Sequence, residues 1–284
     1  MGTGCRARGD DTTQHRRRRQ QIGSSSGLIH TMHSAVTQLA RRSNLRQAGR
    51  PGPQGDEVRS SPTCFRSWPA VATESCLAAV QLSVASAGAL AELLQVLSCG
   101  EESAALTFDH LGNSWHERSL RSALTGIAAD EREHQILIGR LRASLPQPRP
   151  DPSLEATTRR FFMRLADRDV LVHFVRIVAI DSAVCQILGA LRFRGKPLAS
   201  DVQVASILER IHQDEARHVA IASRCATPLL RSARGRDVAA EAREQLTDVL
   251  RLRADALDSL SVDPDQLFAR LRALPRLARR SDAS

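Results

Sequence analysis

Two amphipathic stretches of the sequence carry, at the centre of their apolar face, a glutamate and a histidine three residues apart. In the first stretch these are Glu131 and His134, and in the second they are Glu215 and His218. Residues three apart lie on the same face of a helix, so each pair would point into a protein core together. A buried charge costs several kcal/mol unless it is paired, neutralised or bound to metal. The two pairs therefore require partners in the helical core, either charged groups or metal ions, that offset the cost of burying them.

Two more carboxylates fill central gaps of apolar stripes on other predicted helices. Asp181 is the only acidic residue between positions 170 and 200, and Glu101 fills the corresponding gap of an earlier stripe. Glu102 is one position out of phase and is the second choice for that place. Each of four helices thus offers one inward carboxylate, and two of them add a histidine one turn further along. Such a set of oxygen and imidazole ligands suits a pair of Fe²⁺ or Mn²⁺ ions.

Apolar residues recur at spacings of three and four from about residue 77 onward, and few residues favour strands, which predicts an all-α domain. Prolines and glycines divide it into helices. The connection between the second and third helices is long and contains four prolines, which indicates a crossover. The predicted helices are 85–111, 118–145, 165–193 and 201–224 in a four-helix bundle, followed by two extra C-terminal helices at 236–259 and 264–278.

Residues 1–75 form an arginine-rich tail ahead of the predicted bundle. They contain twelve arginines and five acidic residues, a net charge of +7, which leaves +2 for the rest of a chain whose total is +9. No apolar periodicity is sustained there, so we interpret the tail as disordered. A transit peptide, a nucleic-acid-binding arm and upstream sequence read from a wrongly chosen start all fit its composition. The bundle is then predicted at 76–225, with accessory helices and a short tail at 226–284.

Cysteine spacing and hydropathy narrow the class of protein. The six cysteines include no Cys-x-x-Cys pair, which argues against a zinc ribbon, a rubredoxin-type iron site or a disulfide framework. We expect reduced thiols, and packing as the role of Cys99 and Cys185. No stretch approaches the ~20 uninterrupted apolar residues of a membrane span, and no signal peptide opens the chain. These features predict a soluble, cytoplasmic protein without a membrane partner.

The segments 130–134 (DEREH) and 214–218 (DEARH) resemble the repeated ligand motifs of the ferritin-like di-iron superfamily. The resemblance covers roughly residues 85–224. Similar segments occur in acyl-carrier desaturases, arylamine oxygenases, ribonucleotide reductase small subunits and rubrerythrins. The resemblance implies a ferritin-like four-helix bundle that holds two iron ions, with manganese as the alternative metal.

The resemblance also implies roles for individual residues. Asp130 and Asp214 would accept hydrogen bonds from the ligand histidines and thereby fix their orientation. Asp181 is one methylene shorter than the glutamate more common at its position, so its bridging of two metals is the weakest assignment. The implied metal ligands are Glu101, Glu131, His134, Asp181, Glu215 and His218.

A third Glu-x-x-His match, Glu209 to His212, lies six residues before the second motif. It is rotated about 240° around the helix and so faces elsewhere. His212 alone lies near the edge of the apolar stripe and remains a further candidate, since arylamine oxygenase-like sites contain an extra histidine nearby. We interpret both His173 and His212 first as ordinary half-buried histidines.

The predicted site narrows the function to oxidative chemistry. The chain contains no tyrosine, which excludes a stored tyrosyl radical, and a rubrerythrin would carry a Cys-x-x-Cys iron module. The leading hypothesis is a di-iron oxidoreductase that uses dioxygen or peroxide to hydroxylate, N-oxygenate or desaturate a small-molecule substrate, with an external electron donor. The alternatives are a ferroxidase or peroxide-scavenging metal-handling protein, and a metal-free scaffold. A homodimer fits this prediction, and a nucleic-acid partner is not expected.

Overall fold

The computed structural model describes residues 64–65 and 80–273, and within those residues it contains helices and no strands. The prediction of an all-α domain is confirmed for this part of the chain. One short 3₁₀ helix is formed by Pro197–Ser200. The α-helices are α1 Val84–Ser114, α2 Arg118–Ala143, α3 Pro152–Leu165, α4 Val170–Leu191, α5 Val202–Leu230, α6 Ala233–Arg251, α7 Ala254–Ser259 and α8 Pro264–Arg272.

Capping side chains fix where most of these helices begin. In each case a serine or aspartate oxygen accepts a hydrogen bond from a backbone N–H of the first turn, which typically contributes ~1 kcal/mol. Asp201 also accepts a hydrogen bond from the backbone N–H of Gln81, so it ties the segment before α1 to the start of α5. The caps are Ser83, Asp151, Asp169, Asp201, Ser232 and Asp263.

The four long helices pack as two hairpins. α1 lies along α2, and α4 lies along α5, while α2 also contacts α5 and α6 covers α4. Leu90, Leu124, Phe174 and Leu208, one from each of the four long helices, are almost completely buried between them. Burying a leucine or phenylalanine side chain contributes about 1.5–3 kcal/mol. A shared apolar core therefore holds the hairpins together and positions the residues at its centre.

The predicted crossover between the second and third long helices contains a helix of its own, α3. Pro152 occupies its first turn, where the missing N–H of proline removes no hydrogen bond. Pro152 therefore marks the start of a helix, although the sequence pattern indicates only a connection there. The next long helix, α4, begins at Val170 behind its cap Asp169, later than the predicted start at 165.

Three helix ends nearer the C-terminus also differ from the prediction. α5 continues to Leu230, six residues past the predicted end at 224. The predicted helix at 236–259 is divided into α6 and α7, because the backbone leaves the helical conformation at Arg253 (φ −130°, ψ 26°). α8 ends at Arg272, before the predicted end at 278, and the residues after 273 lie outside the described part of the chain.

One helix among the described residues, α4, is long and apolar enough to cross a membrane by composition alone, with a mean hydropathy of 1.8. More than half of that window, 56%, is buried inside the protein. Core helices of other proteins pass the same test, so this composition is weak evidence for a membrane span. Asp181 lies near the middle of α4, where a membrane would disfavour a charge.

A disulfide joins Cys64 to Cys99 of α1, with the two Cα atoms 5.2 Å apart. The expectation of reduced, merely packed thiols is wrong for these two, since residues far apart in sequence come together. Beside the disulfide, the backbone N–H of Phe65 donates to Glu102 at 2.9 Å, and Arg159 donates to the carbonyl oxygen of Cys64 at 2.8 Å.

Residues 64 and 65 fall inside the segment predicted as a disordered tail, and the structure attaches them to α1. The other residues of that segment, with Cys5 among them, lie outside the described part of the chain, as does Cys76. Cys185 and Cys225 are free thiols.

Candidate metal centre

Six predicted ligands come from the four long helices and are all buried. Glu101 lies on α1, the first Glu-x-x-His pair on α2, Asp181 on α4 and the second pair on α5. No more than 8% of any of these side chains is exposed, and both histidines are at 0%. The six residues are Glu101, Glu131, His134, Asp181, Glu215 and His218.

The Nδ1 atom of His134 faces three carboxylates. It lies 3.0 Å from Oε2 of Glu101, 3.5 Å from Oε2 of Glu131 and 3.6 Å from Oε1 of Glu215. Each of these four residues offers one ligand atom, and all four atoms lie within 4.8 Å of one another. Glu101, Glu131, His134 and Glu215 therefore form a buried group that could hold a metal ion.

The Nδ1 atom of His218 faces two of the same carboxylates from the other side. It lies 3.0 Å from Oε1 of Glu131 and 3.9 Å from Oε2 of Glu215. The centroids of the His134 and His218 rings are 5.9 Å apart. Glu131 and Glu215 thus each direct one oxygen toward one histidine and the other oxygen toward the second.

The outer nitrogens of the histidines are held by aspartates in a crossed arrangement. Nε2 of His134 lies 3.2 Å from Asp214, which belongs to the motif of α5, and Nε2 of His218 lies 3.2 Å from Asp130, which belongs to the motif of α2. A carboxylate at Nε2 favours the proton on that nitrogen and leaves Nδ1 free to bind a cation. The structure thus brings each predicted aspartate to the histidine of the opposite motif.

Arg217 joins the two aspartates and was missed in the sequence. One of its terminal nitrogens lies 2.8 Å from an oxygen of Asp130 and 2.8 Å from an oxygen of Asp214. Arg217 lies three residues after Asp214, and that spacing on a helix was the available signal for one of the two contacts. The contact with Asp130 depends on how α2 packs against α5, which the local sequence does not state.

Asp181 enters the cluster from α4 without a partner for its buried oxygen Oδ2 among the described residues. Burial raises the pKa of Asp181 well above its ordinary range, and the charges of Glu131 and Glu101 add to that effect. Its shorter side chain therefore lies in the field of the other carboxylates while making no contact as close as that of Glu101 to His134.

The hydrogen bonds inside the cluster leave a deficit that a cation would fill. Within the described residues, buried atoms of three side chains make no hydrogen bond of ordinary geometry: Oε2 of Glu131, Oδ2 of Asp181 and Nδ1 of His218, although this nitrogen lies 3.0 Å from Oε1 of Glu131. Unpartnered buried polar atoms are costly and rare in folded proteins. All three are lone-pair donors when the carboxyls are ionised and the outer histidine nitrogen holds the proton. The residues present therefore fit a bound metal.

Without a cation, the cluster must balance its charges with protons. Burial and the charge of Glu131 raise the pKa of Glu101 to about 8, and burial and the same charge raise that of Glu215 well above its usual range. Burial also disfavours ionised Glu131, but its close contacts with His134 and His218 lower its pKa to about 2. Burial lowers the pKa of His134, yet its close contacts with Glu101 and Glu131 raise it to about 11.

Two alternative ligands do not reach the cluster. Glu102 is buried, but it accepts the hydrogen bond from Phe65 on another face of α1, so Glu101 is the inward residue. His212 lies beside Arg192, and burial together with that positive charge lowers its pKa. The structure brings neither of them to the group formed by the six predicted ligands.

His173 borders the neighbouring cavity and is more buried than the sequence suggested, with 2% of its surface exposed. Its Nδ1 lies 3.0 Å from the carbonyl oxygen of Leu165, which explains its position by a backbone hydrogen bond. Burial lowers the pKa of His173 to about 4, so the ring is neutral near pH 7.

An apolar cavity of about 70 Å³ adjoins the cluster between α1 and α4. Glu101, Glu131, Asp181 and Glu215 form its polar wall. Its other walls are apolar and include Val96, Phe108, Ile177, Ile180, Val184 and Ile187. A space of this size holds a few water molecules or a small apolar group beside the carboxylates.

Comparisons of this chain with protein-family models, with curated proteins and with solved structures found no match. The class of protein therefore rests on the fold and the site alone: an all-helical domain with a buried Glu/His group able to hold a metal ion. The identity of the metal and the roles of the six residues stay predictions.

Proposed function

We propose that the chain is a di-iron oxidoreductase, built as a ferritin-like four-helix bundle, that activates dioxygen to oxidise a small organic substrate. The observation that carries the proposal is the position of Glu131 and Glu215, each with one oxygen toward His134 and one toward His218. A carboxylate placed in this way can bridge two cations, each bound by one histidine as well.

The charge of the cluster supports two divalent ions rather than one. Four buried carboxylates provide enough negative charge to offset two divalent cations, and such charges are not retained in a core without compensation. Glu101 and His134 would hold one ion, and Asp181 and His218 the other. Manganese satisfies the same ligands and is the alternative metal.

Two iron ions bound there would supply the activation of dioxygen. Asp130 and Asp214 hold the outer nitrogens of the histidines, which keeps both Nδ1 atoms directed into the cluster. Arg217 holds those two carboxylates together at the surface. The apolar cavity offers the reacting group of a substrate a position next to the carboxylates.

The same cavity favours oxidation of an organic substrate over simple iron oxidation. Its apolar walls give binding energy to a hydrocarbon or aromatic group, which a protein that only handles metal does not need. Insertion of one oxygen atom with release of the other as water consumes two electrons beyond those of the substrate. The proposal therefore includes an external electron donor, with peroxide as the alternative oxidant.

One observation favours a metal-free scaffold as the second candidate. Nδ1 of His134 lies 3.0 Å from Glu101, so the two could neutralise each other as a buried ion pair. That pairing leaves Oδ2 of Asp181 without a partner among the described residues, and for this reason we prefer the metal-bound form.

Anaerobic reconstitution with Fe²⁺, followed by metal counting and exposure to dioxygen under optical observation, tests the proposal. We expect about two iron ions per chain and new absorption on oxidation. A Glu133→Gln variant is the matched control, because Glu133 lies on the same helix, is exposed and pairs only with Arg210 among the described residues. Protein that binds no iron above the level of a Glu131→Ala variant would rule out the di-iron assignment.

A second step separates substrate oxidation from iron oxidation alone. Iron-loaded protein is incubated with toluene or aniline, dioxygen and a chemical reductant, and oxidised products are measured by mass spectrometry. A Val184→Phe variant should fill the cavity and reduce product while iron oxidation continues. Iron oxidation without product from either probe, unchanged in Val184→Phe, would favour the ferroxidase.

A further inference from the structure

A second cavity lies on the outer side of α1, away from the metal centre. It is about 530 Å³ in volume, within the usual range of small-molecule sites. We call it the outer groove. It lies between α1, the end of α2, the proline-rich connection and the start of α3, and its walls include Cys64, Cys99, Arg142, Pro150, Leu154 and Thr158.

Arg142 is the unusual residue of the outer groove. It is half-buried in the last turn of α2, and among the described residues no carboxylate lies within ion-pair distance of its guanidinium. Burial lowers the pKa of Arg142, which shows that its charge is poorly solvated there. A cation in the last turn is favoured by the helix dipole, but that effect does not require a half-buried guanidinium facing a cavity.

The acidic side chains of the same groove are already paired. Asp151 caps α3 and lies 3.0 Å from Arg253, and Glu155 pairs with Arg159. Neither acid is therefore the natural counter-ion of Arg142. Among the described residues, Arg142 is thus the one charged group on the groove wall without an oppositely charged partner.

The remaining surface of the groove indicates the size and polarity of an occupant. Leu154 and three prolines of the connection provide apolar area, while Gln95 and Ser98 of α1 provide hydrogen-bonding groups. A single guanidinium without a counter-ion among the described residues matches a monoanion, and the nearby carboxylates of Asp151 and Glu155 disfavour a dianion such as phosphate.

We propose that the outer groove binds an organic carboxylate, whose anionic end pairs with Arg142 and whose apolar body packs against Leu154 and the neighbouring prolines. Arginine binds a carboxylate with two parallel hydrogen bonds, which gives both affinity and orientation. The site is separate from the metal centre, because the two cavities have no described lining residue in common. It does not depend on the proposed oxidase function.

Ligand-observed NMR titration of the full-length chain with hexanoate, hexanamide and inorganic phosphate tests the site. Hexanoate should bind at least about tenfold more tightly than its neutral amide, as expected for one charge-assisted pair. Arg142→Gln should weaken hexanoate binding by about the same factor. Arg140→Gln is the matched control, since Arg140 shares the last turn of α2 but is not among the described residues that line the groove, and it should bind as the parent does.

Circular dichroism establishes that each variant is folded. If Arg142→Gln does not fold, Ser98→Trp fills the groove from α1 and should abolish hexanoate binding instead. Equal affinity for hexanoate and hexanamide would overturn the proposal, as would undiminished binding in folded Arg142→Gln or in Ser98→Trp. Phosphate binding as tight as hexanoate binding would overturn the assignment to a carboxylate.

Discussion

The two halves of the buried cluster carry the same Asp-Glu-x-x-His motif but differ in the carboxylate that completes each half. In the first half, formed by α1 and α2, Glu101 reaches Nδ1 of His134 at 3.0 Å. In the second half, formed by α4 and α5, Oδ2 of Asp181 has no partner among the described residues, and Nδ1 of His218 lies 3.0 Å from Glu131 of α2 instead. One methylene therefore separates a carboxylate that reaches its histidine from one that does not.

This difference indicates that the halves would hold a cation unequally. The first half can neutralise itself through the contact of Glu101 with His134, so a metal must displace a proton and an existing interaction there. In the second half, Oδ2 of Asp181 has no partner among the described residues, so a cation there would break no existing contact of that carboxylate. Glu131 and Glu215 face both histidines and so belong to both halves. Changes at these shared positions should affect both halves, whereas changes at Glu101 or Asp181 should affect one.

The largest effect is expected at the bridging carboxylates, because each serves both halves. Glu131→Ala or Glu215→Ala should remove most of the bound metal, lowering about two ions per chain to less than one. Metal content after anaerobic loading, measured by elemental analysis, is the readout. If both variants keep the parental stoichiometry, the cluster is not the metal site. Glu133→Gln is the control, because it shows how much bound metal is lost when an exposed residue of α2 is changed.

Changing the length or charge of the side chains at positions 101 and 181 tests whether the two halves bind metal unequally. Asp181→Asn is nearly isosteric, so it should keep the fold but lose or weaken one metal, since it removes a compensating charge. Asp181→Glu should retain both ions and make the second half resemble the first. Glu101→Asp is the reciprocal change and should weaken the ion beside His134. Bound iron and the rate of iron oxidation are measured on all three variants.

Melting temperature distinguishes a ligand from a structural residue at position 181. Burial destabilises the charged form of Asp181, so Asp181→Asn should not lower the melting temperature of the metal-free protein. A variant that melts lower but binds iron and oxidises it at the parental rate would remove Asp181 from the ligand set.

Local pattern was sufficient to predict most of the cluster, and it failed where tertiary contacts decide. The phase of Glu101, Glu131 and Asp181 within apolar stripes predicted their burial, because helix periodicity fixes which face points inward. The same periodicity could not predict that Asp130 serves His218, since that contact depends on the packing of α2 against α5.

The disulfide and the helix α3 were missed for different reasons. Cys64 and Cys99 are 35 residues apart, and nothing in their spacing indicates that the first returns to α1. Pro152 was interpreted as a helix breaker, although proline at the first turn is favourable and Asp151 caps the helix there. The first error concerns a segment that precedes α1, and the second concerns the connection that follows α2. Neither concerns the centre of the domain.

The crossed aspartates provide a more selective test of how the halves are coupled. Asp130→Asn should weaken metal binding by about 10- to 100-fold, the usual effect of removing a group that orients a ligand histidine. A double-mutant cycle with His218→Ala should show coupling, whereas the cycle with His134→Ala should show much less, although His134 lies on the same helix as Asp130. Equal coupling to both histidines would contradict the crossed assignment.

The smallest expected effect is the pH dependence of stability in the metal-free protein, which reports how both halves carry protons. The folded-state pKa of Glu101 is about 8, above its ordinary 4.5, so the stabilisation from its extra proton is lost as pH rises between those values. His134, raised from 6.5 to about 11, contributes stability that is full below pH 6.5 and is lost toward pH 11. Glu131, lowered to about 2, contributes stability that is lost only as pH falls below 4.5.

These three shifts together predict that metal-free protein is most stable near pH 4.5, and that above this pH it loses up to ~1.4 kcal/mol per pH unit for each proton that only the folded state holds. Metal binding needs deprotonated ligands, so the extra stability from iron or manganese should instead grow with pH. Urea unfolding from pH 5 to 9, with chelator and with metal, measures both slopes. The raised pKa of Asp181 contributes to the loss of unfolding free energy with pH in the metal-free protein. Asp181→Asn should therefore reduce that slope when chelator is present, while Glu133→Gln should not. If the metal-free protein, measured with chelator, gained stability from pH 6 to 8, the raised pKa values of Glu101 and His134 would be contradicted.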